Sequence, residues 1–155
     1  MISKRLKNLL DENYIKYVSI IHSRAHTAQE VAHSAHVKGA CFAKTVMVKS
    51  GTEDIMAVLP ASHRVEFEGL SRVTQNADVR LSTEPEFQAL FPECEAGAMP
   101  PFGNLYRMRV ICDASLAASE EIVFNAGTHT EAIRMRFDDF VRLVEPRLCT
   151  FAKHL

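Results

Sequence analysis

Apolar positions recur along this chain in two rhythms, one of helices and one of strands. Leu6, Leu9 and Leu10 fall three and four apart, on one face of a short helix that Ser3 can cap. Tyr17 to Ile21 is a β-type run and predicts a strand. Thr27-Ala28-Gln29-Glu30 has capping-box spacing and opens a second helix, with Val31 and Ala35 inward and Gly39 as terminator. Thr45 to Val48 and Ile55 to Leu59 flank a turn containing Gly51 and predict a hairpin. A helix is expected over Val65 to Leu70. Thr83-Glu84-Pro85-Glu86 repeats the capping logic, with proline in the first turn of a helix that ends near Phe91-Pro92. Pro92 to Asn104 shows neither rhythm. Strands are predicted at Val110 to Cys112, Ile122 to Asn125 and Ile133 to Phe137, before a closing helix from Asp138 to Val144.

Short strands in hairpins, mixed with helices, predict an α+β fold: a curved, mostly antiparallel mixed β-sheet, barrel-like, with peripheral helices. With no internal repeat and no linker-like stretch, residues 1–155 read as one domain.

Composition narrows the classes of function. A formal charge of -1 argues against a protein that coats long stretches of nucleic acid, though not against a small local contact with one. No apolar run approaches the roughly 18 residues needed to span a bilayer. The basic start, Met1 to Lys7, is not followed by the apolar stretch of a signal peptide, so a cytoplasmic location without membrane contact is expected. Cys41, Cys94, Cys112 and Cys149 form no CxxC pair and read as small hydrophobes in a reduced compartment.

Three segments have the residue types of a reactive site. In Gly97-Ala98-Met99-Pro100-Pro101-Phe102-Gly103, two prolines fix the backbone while the glycines allow conformations closed to other residues. Such a loop can aim N–H groups at a carbonyl oxygen that is becoming negative; it also reads as a rigid surface turn. Lys44 stands at the start of an apolar strand, where an ammonium can hold a phosphate or donate to a leaving oxygen, or simply face solvent. Asn125-Ala126-Gly127-Thr128-His129 presents a hydroxyl and an imidazole from a loop between strands; an incidental histidine in a hairpin is the plainer reading. His22 and His26 straddle a strand–helix junction, unsuited to helical i,i+4 metal ligation. His33 and His36 near Cys41 lack the partners of a zinc site, and no metal site is expected. There is no GxSxG, and Ser62-His63 are adjacent rather than arranged as nucleophile and base.

Ala43-Lys44-Thr45-Val46, the run Val58 to His63, the Gly97-to-Gly103 loop and Gly127-Thr128-His129 together resemble the YbaK/prolyl-tRNA-synthetase insertion-domain family, in its order and spacing. The resemblance runs from about Thr27 to about Phe151. It implies hydrolysis of the ester joining a wrong amino acid to the tRNA 3′ end, with no metal or cofactor. Lys44 matches the family lysine, Gly97 and Pro101 its GxxxP loop, and His129 a position that is polar or basic in several members. These three, Lys44, Gly97 and His129, are the implied catalytic residues. Met47, Ser62, His63, Ala98, Met99, Pro100, Pro101, Phe102, Gly103, Gly127 and Thr128 are the candidate substrate-binding set, with Met47, Ser62, Met99 and Phe102 as pocket walls. The implied partner is aminoacyl-tRNA, tRNA-Pro or a related tRNA carrying a small amino acid, with an aminoacyl-tRNA synthetase as a candidate second partner. Departures in the loop filling and at Gly127-Thr128-His129 leave the amino acid open. A non-catalytic module binding an aminoacyl or nucleotide ligand stays as the alternative. In either case Arg107, Arg109, Arg134 and Arg136 are candidates for a phosphate-binding patch.

Overall fold

The computed structural model describes residues 3–155; Met1 and Ile2, part of the basic start, lie outside the described residues. Helix α1 (Lys4–Glu12) buries Leu6 and Leu10, as its spacing predicts. Ser3 occupies the cap position but makes no side-chain capping bond; its N–H donates to the Ala126 carbonyl instead. Strand β1 (Tyr17–Ile21) leads into α2 (Ala28–Ser34), where the Thr27 hydroxyl accepts from the Glu30 N–H at 3.1 Å. The other half of that box is displaced: the Glu30 carboxylate accepts from His26 N–H at 3.4 Å. The helix also stops before Gly39, because His36 takes the left-handed conformation (φ 57°), and Gly39 opens a 3-10 turn.

β2 (Ala43–Ser50) and β3 (Glu53–Pro60) form the predicted hairpin, turning at Gly51 with φ 63°. β4 (His63–Val65) takes Val65, so α3 begins later than predicted and spans Phe67–Thr74. After β5 (Val79–Leu81) comes α4 (Glu84–Gln88), opened by a capping box in which the Glu86 carboxylate accepts from the Thr83 N–H at 2.9 Å. Beyond the long loop lie β6 (Val110–Asp113), β7 (Glu121–Thr128), β8 (Glu131–Arg136), α5 (Phe137–Val144), β9 (Arg147–Cys149) and β10 (Ala152–His154).

The fold is α+β, but its strands do not close into the expected barrel. Among the described residues they make a five-stranded sheet, β5-β2-β3-β6-β9, a three-stranded sheet, β1-β8-β7, and the pair β10-β4. Most neighbours are antiparallel; β3-β6 and β6-β9 run parallel. An isolated parallel bridge, Phe42 to Val123, brings β2 alongside β7. The main core lies between the two larger sheets, α1, α5 and the long loop, around Met47, Met56, Phe91, Phe102, Phe124 and Phe140. A second cluster under α3 and Phe151 covers the other face of β2-β3, and a third joins α2 to Phe42, Ala61, Val123 and Ala132. No helix among the described residues is long and apolar enough to cross a membrane.

Candidate active site

The site grows from the place where β2 and β7 part company. The bridge at Phe42–Val123 is where the two strands, running the same way, lie side by side. Beyond that point a bulge between Asn125 and Thr128, with Gly127 at φ 108°, turns the end of β7. The long loop fills the wedge. It is hung on β7 by backbone bonds, Gly127 N–H to the Ala98 carbonyl at 2.9 Å and Glu95 N–H to the Gly127 carbonyl at 2.8 Å.

His129 locks this junction. Its Nε2 bonds the Ala96 carbonyl at 2.7 Å and its backbone N–H donates to the Glu95 carboxylate at 2.8 Å. Glu95 is held in turn by Arg24 at 2.6 Å. These contacts, the Arg24 guanidinium foremost, hold the Glu95 carboxyl below the usual glutamate value. The His129 ring packs against His26, with centroids 5.1 Å apart.

Within the loop Ala98 through Gly103 are buried, while Gly97 is exposed at φ 81°. The Gly97 N–H finds no acceptor among the described residues. A Cβ at this position would meet only His129 Cε1, at 3.8 Å. Gly103 differs: a Cβ there would lie 2.6 Å from both the Met108 carbonyl oxygen and Val110 Cγ2. Phe102 is a core ring, 5.5 Å from Phe124 and 5.6 Å from Phe140 between centroids. Pro100 and Pro101 are buried beside it.

Across the wedge, Thr45, Met47, Leu81, Ser82, Phe87, Gly97 and Met99 line a cleft of about 210 Å³. The Thr45 and Ser82 hydroxyls are buried there with no hydrogen-bond partner among the described residues. Lys44 points to the opposite face of β2, the face of its cross-strand neighbour Leu59. Its Nζ donates to the His63 carbonyl at 2.6 Å, and burial pushes its ammonium below the usual lysine value. Ser62 Oγ and His63 Nδ1 are 3.0 Å apart, and the His63 ring packs edge-on against His154 at 5.2 Å. Burial foremost, with the charge of Lys44 and His154, lowers the His63 pKa.

The candidate residues thus fall into groups. Ala98, Gly127 and His129 belong to one bonded junction through Glu95 and Ala96, with Gly97 beside it, and Met47 and Met99 share a cleft with Gly97. Lys44, Ser62 and His63 form a cluster on the other face of β2. Thr128 Oγ1 lies 3.3 Å from Thr130 Oγ1 at the hairpin end. The arginine patch splits: Arg109 pairs with Glu53 at 2.9 Å and Arg136 approaches Asp138 at 3.6 Å. Sequence reasoning passed over Asn125 and His22 as site residues, both buried with an unpartnered polar atom. An asparagine inside the apolar run Ile122 to Phe124–Ala126 was the available signal for the first.

Comparison with known proteins gives the family. The sequence model of the aminoacyl-tRNA editing domain matches residues 22–143, so the chain belongs to the aminoacyl-tRNA editing domain family. It is 26% identical over 102 residues to the multifunctional Ser/Thr-tRNA deacylase ProXp-y of Escherichia coli, a match covering 65% of this chain and 60% of that protein. It is 29% identical over 101 residues to the proline–tRNA ligase of Thiobacillus denitrificans, covering 64% of this chain and 17% of the ligase. A solved structure described as a candidate trans-editing enzyme for prolyl-tRNA synthetase superposes with a TM-score of 0.83 at 18% identity, over 99% of both chains.

Proposed function

We propose that this chain hydrolyses the ester between a small amino acid and the 3′ end of a mischarged tRNA, acting in trans and without a metal. The observation that carries the reading is Gly97: an exposed, left-handed residue with a free N–H, next to the buried segment Ala98 to Gly103 of a loop pinned to β7. A donor fixed in advance costs no reorganisation when the ester carbonyl gains negative charge. An aminoacyl ester is already activated, so an oriented water and a stabilised oxyanion suffice without a covalent nucleophile. A ribose hydroxyl next to the ester orients that water. Lys44 is held on the other face of β2 by the His63 carbonyl, so its role at the ribose–phosphate end of the substrate requires that it leave this bond.

The cleft between β2 and the loop takes the amino-acid side chain. Its walls are apolar, and the unpartnered Thr45 and Ser82 hydroxyls suit a side chain that has a hydroxyl of its own. Serine and threonine fit that description, in keeping with the named activity of the Escherichia coli relative. tRNA-Pro is the first tRNA to try, given the ligase relative, and prolyl-tRNA synthetase the first partner.

The test is release of amino acid from tRNAs charged with alanine, serine, threonine, cysteine or proline, with chelator present. Metal-independent release of serine or threonine, abolished in folded Lys44→Ala protein, is the expected result. Intact turnover by that variant overturns the lysine's role. A folded protein that binds charged tRNA ends and releases nothing is a binding module.

A further inference from the structure

The four arginines singled out in the sequence separate by their surroundings. Arg109 and Arg136 each face a carboxylate, Glu53 and Asp138. Arg134 has no acidic partner among the described residues, but both cavities that it lines have Glu120 and Glu121 in their walls. A phosphate there would meet two like charges. Arg107 is left. It is exposed, and its guanidinium makes no hydrogen bond or ion pair among the described residues.

Arg107 does not stand alone. It lines a cavity of about 410 Å³ with Arg5, Leu90, Leu105 and Tyr106. Arg5 comes from α1 and Arg107 from the end of the long loop, so two distant segments bring a guanidinium to one hollow. Arg5 is held in advance: its Nη1 donates to the Leu105 carbonyl at 3.3 Å, and its guanidinium lies 5.1 Å from the centre of the Tyr106 ring. Glu93 lies 3.7 Å from Arg5 Nε and accepts from the Tyr106 hydroxyl at 2.5 Å. That carboxylate is not part of the lining; it offsets one guanidinium and leaves the hollow net positive. Arg107 has φ 58°, a conformation that costs an L-residue about 1–2 kcal/mol. The backbone alone favours glycine there, yet an arginine occupies the position.

The hollow offers two forks of N–H donors over an apolar floor. A guanidinium matches two oxygens of a phosphodiester, and Leu90, Leu105 and the Tyr106 ring suit the ribose beside it. The whole chain has a formal charge of -1, so an RNA contact must come from a local excess of this kind. The hollow shares no lining residue with the Gly97 cleft. It adjoins the same junction through Cys94, whose Sγ is 3.8 Å from Tyr106 Oη and would be 3.8 Å from a Cβ at Gly127. Building on the reading of the substrate as a charged tRNA, we infer that Arg5 and Arg107 form a contact to the tRNA backbone, gripping a phosphodiester away from the ester itself.

The test is binding of a fluorescently labelled, uncharged tRNA-Pro transcript to the full chain, followed by anisotropy from low to physiological salt. An uncharged tRNA has no ester, so the result is independent of hydrolysis. Affinity is expected to fall linearly with salt on a log–log plot, and Arg107→Gln to flatten that slope by about 0.7–1. The same variant binds about tenfold weaker at the lowest salt, and Arg5→Gln behaves alike. Arg107→Lys keeps the charge and the slope. Arg109→Gln and Arg134→Gln remove the same charge elsewhere and leave the slope unchanged; thermal melts verify that each variant is folded. An unchanged slope in Arg107→Gln overturns the contact, as does an equal loss in Arg107→Gln, Arg109→Gln and Arg134→Gln. Wild-type protein that takes up inorganic phosphate but no tRNA overturns it too. Binding through Arg5 and Arg107 with no hydrolysis of seryl-tRNA upholds the contact while the deacylase reading fails.

Discussion

Two glycines at either end of one loop should respond to the same substitution in opposite ways. At Gly97 an alanine Cβ meets nothing nearer than His129 Cε1 at 3.8 Å, an ordinary contact, so the cost is the backbone at φ 81°. A left-handed L-residue costs about 1–2 kcal/mol, and the stiffer unfolded chain returns about 0.4–1 kcal/mol of it. A net loss of about 1 kcal/mol lowers the Tm by about 2–4 °C in a chain of this length. At Gly103 the added carbon would sit 2.6 Å from the Met108 carbonyl oxygen and from Val110 Cγ2. That carbonyl belongs to a segment tied back by the Met108 N–H to Gly103 carbonyl bond at 3.1 Å, so it yields poorly. Overpacking of this kind costs about 3 kcal/mol, or about 6–12 °C in Tm. Activity should run the other way. A Gly97→Ala loop that relaxes toward negative φ moves the free N–H, and losing one such donor costs about 10²–10³ in kcat. Gly103→Ala, measured where it is still folded, keeps kcat near the wild-type value. Urea unfolding and deacylation kinetics on the same preparations check both. The reasoning fails if Gly97→Ala is as destabilised as Gly103→Ala while its kcat is intact.

Two further outcomes follow from Lys44 and from the buried Asp113. Its folded-state pKa is depressed by burial, so the folded protein disfavours the charged lysine in full below that pKa. As pH rises from there toward 10.5 the folded state sheds the proton first, and wild-type stability rises relative to Lys44→Met. Urea midpoints of the two proteins across that range measure it, and a constant difference would count against the burial argument. Asp113, 2% exposed, accepts from the N–H groups of Phe151 at 3.0 Å and Ala152 at 3.1 Å, and from Ser115. Asp113→Ala orphans those donors at about 3–5 kcal/mol and frees β10. Hydrogen exchange at the Phe151 and Ala152 amides should accelerate; unchanged protection refutes the assignment.

What could be read ahead of the structure depended on length and on local chemistry. The β2–β3 hairpin was legible because two eight-residue strands of β-type residues flank a glycine turn. β4, β5, β9 and β10 have three residues each, too few for a period of two to show, and β4 displaced the start of α3. The parallel pairing of β3, β6 and β9 depends on contacts between distant segments that no local pattern encodes. Gly97 and His129 stood out because glycine-proline loops and histidines are chemically marked. Asn125 and His22 did not, since the unpaired state of a buried atom exists only once its neighbours are in place.

The loop that holds Gly97 has backbone bonds to β7 and none to β2 among the described residues. It is therefore fastened to the β7–β8 hairpin, with β2 across the cleft and the Phe42–Val123 bridge between the two strands. The width of the cleft is then a property of how two sheets are set, and the chemistry at Gly97 a property of one of them. Thr45 faces the cleft from β2 and has no bond to the loop, so its exchange changes the lining while the bonds that hold the loop to β7 stay in place. A scaffold divided in this way lets the lining of the cleft vary while the loop keeps its seat on β7.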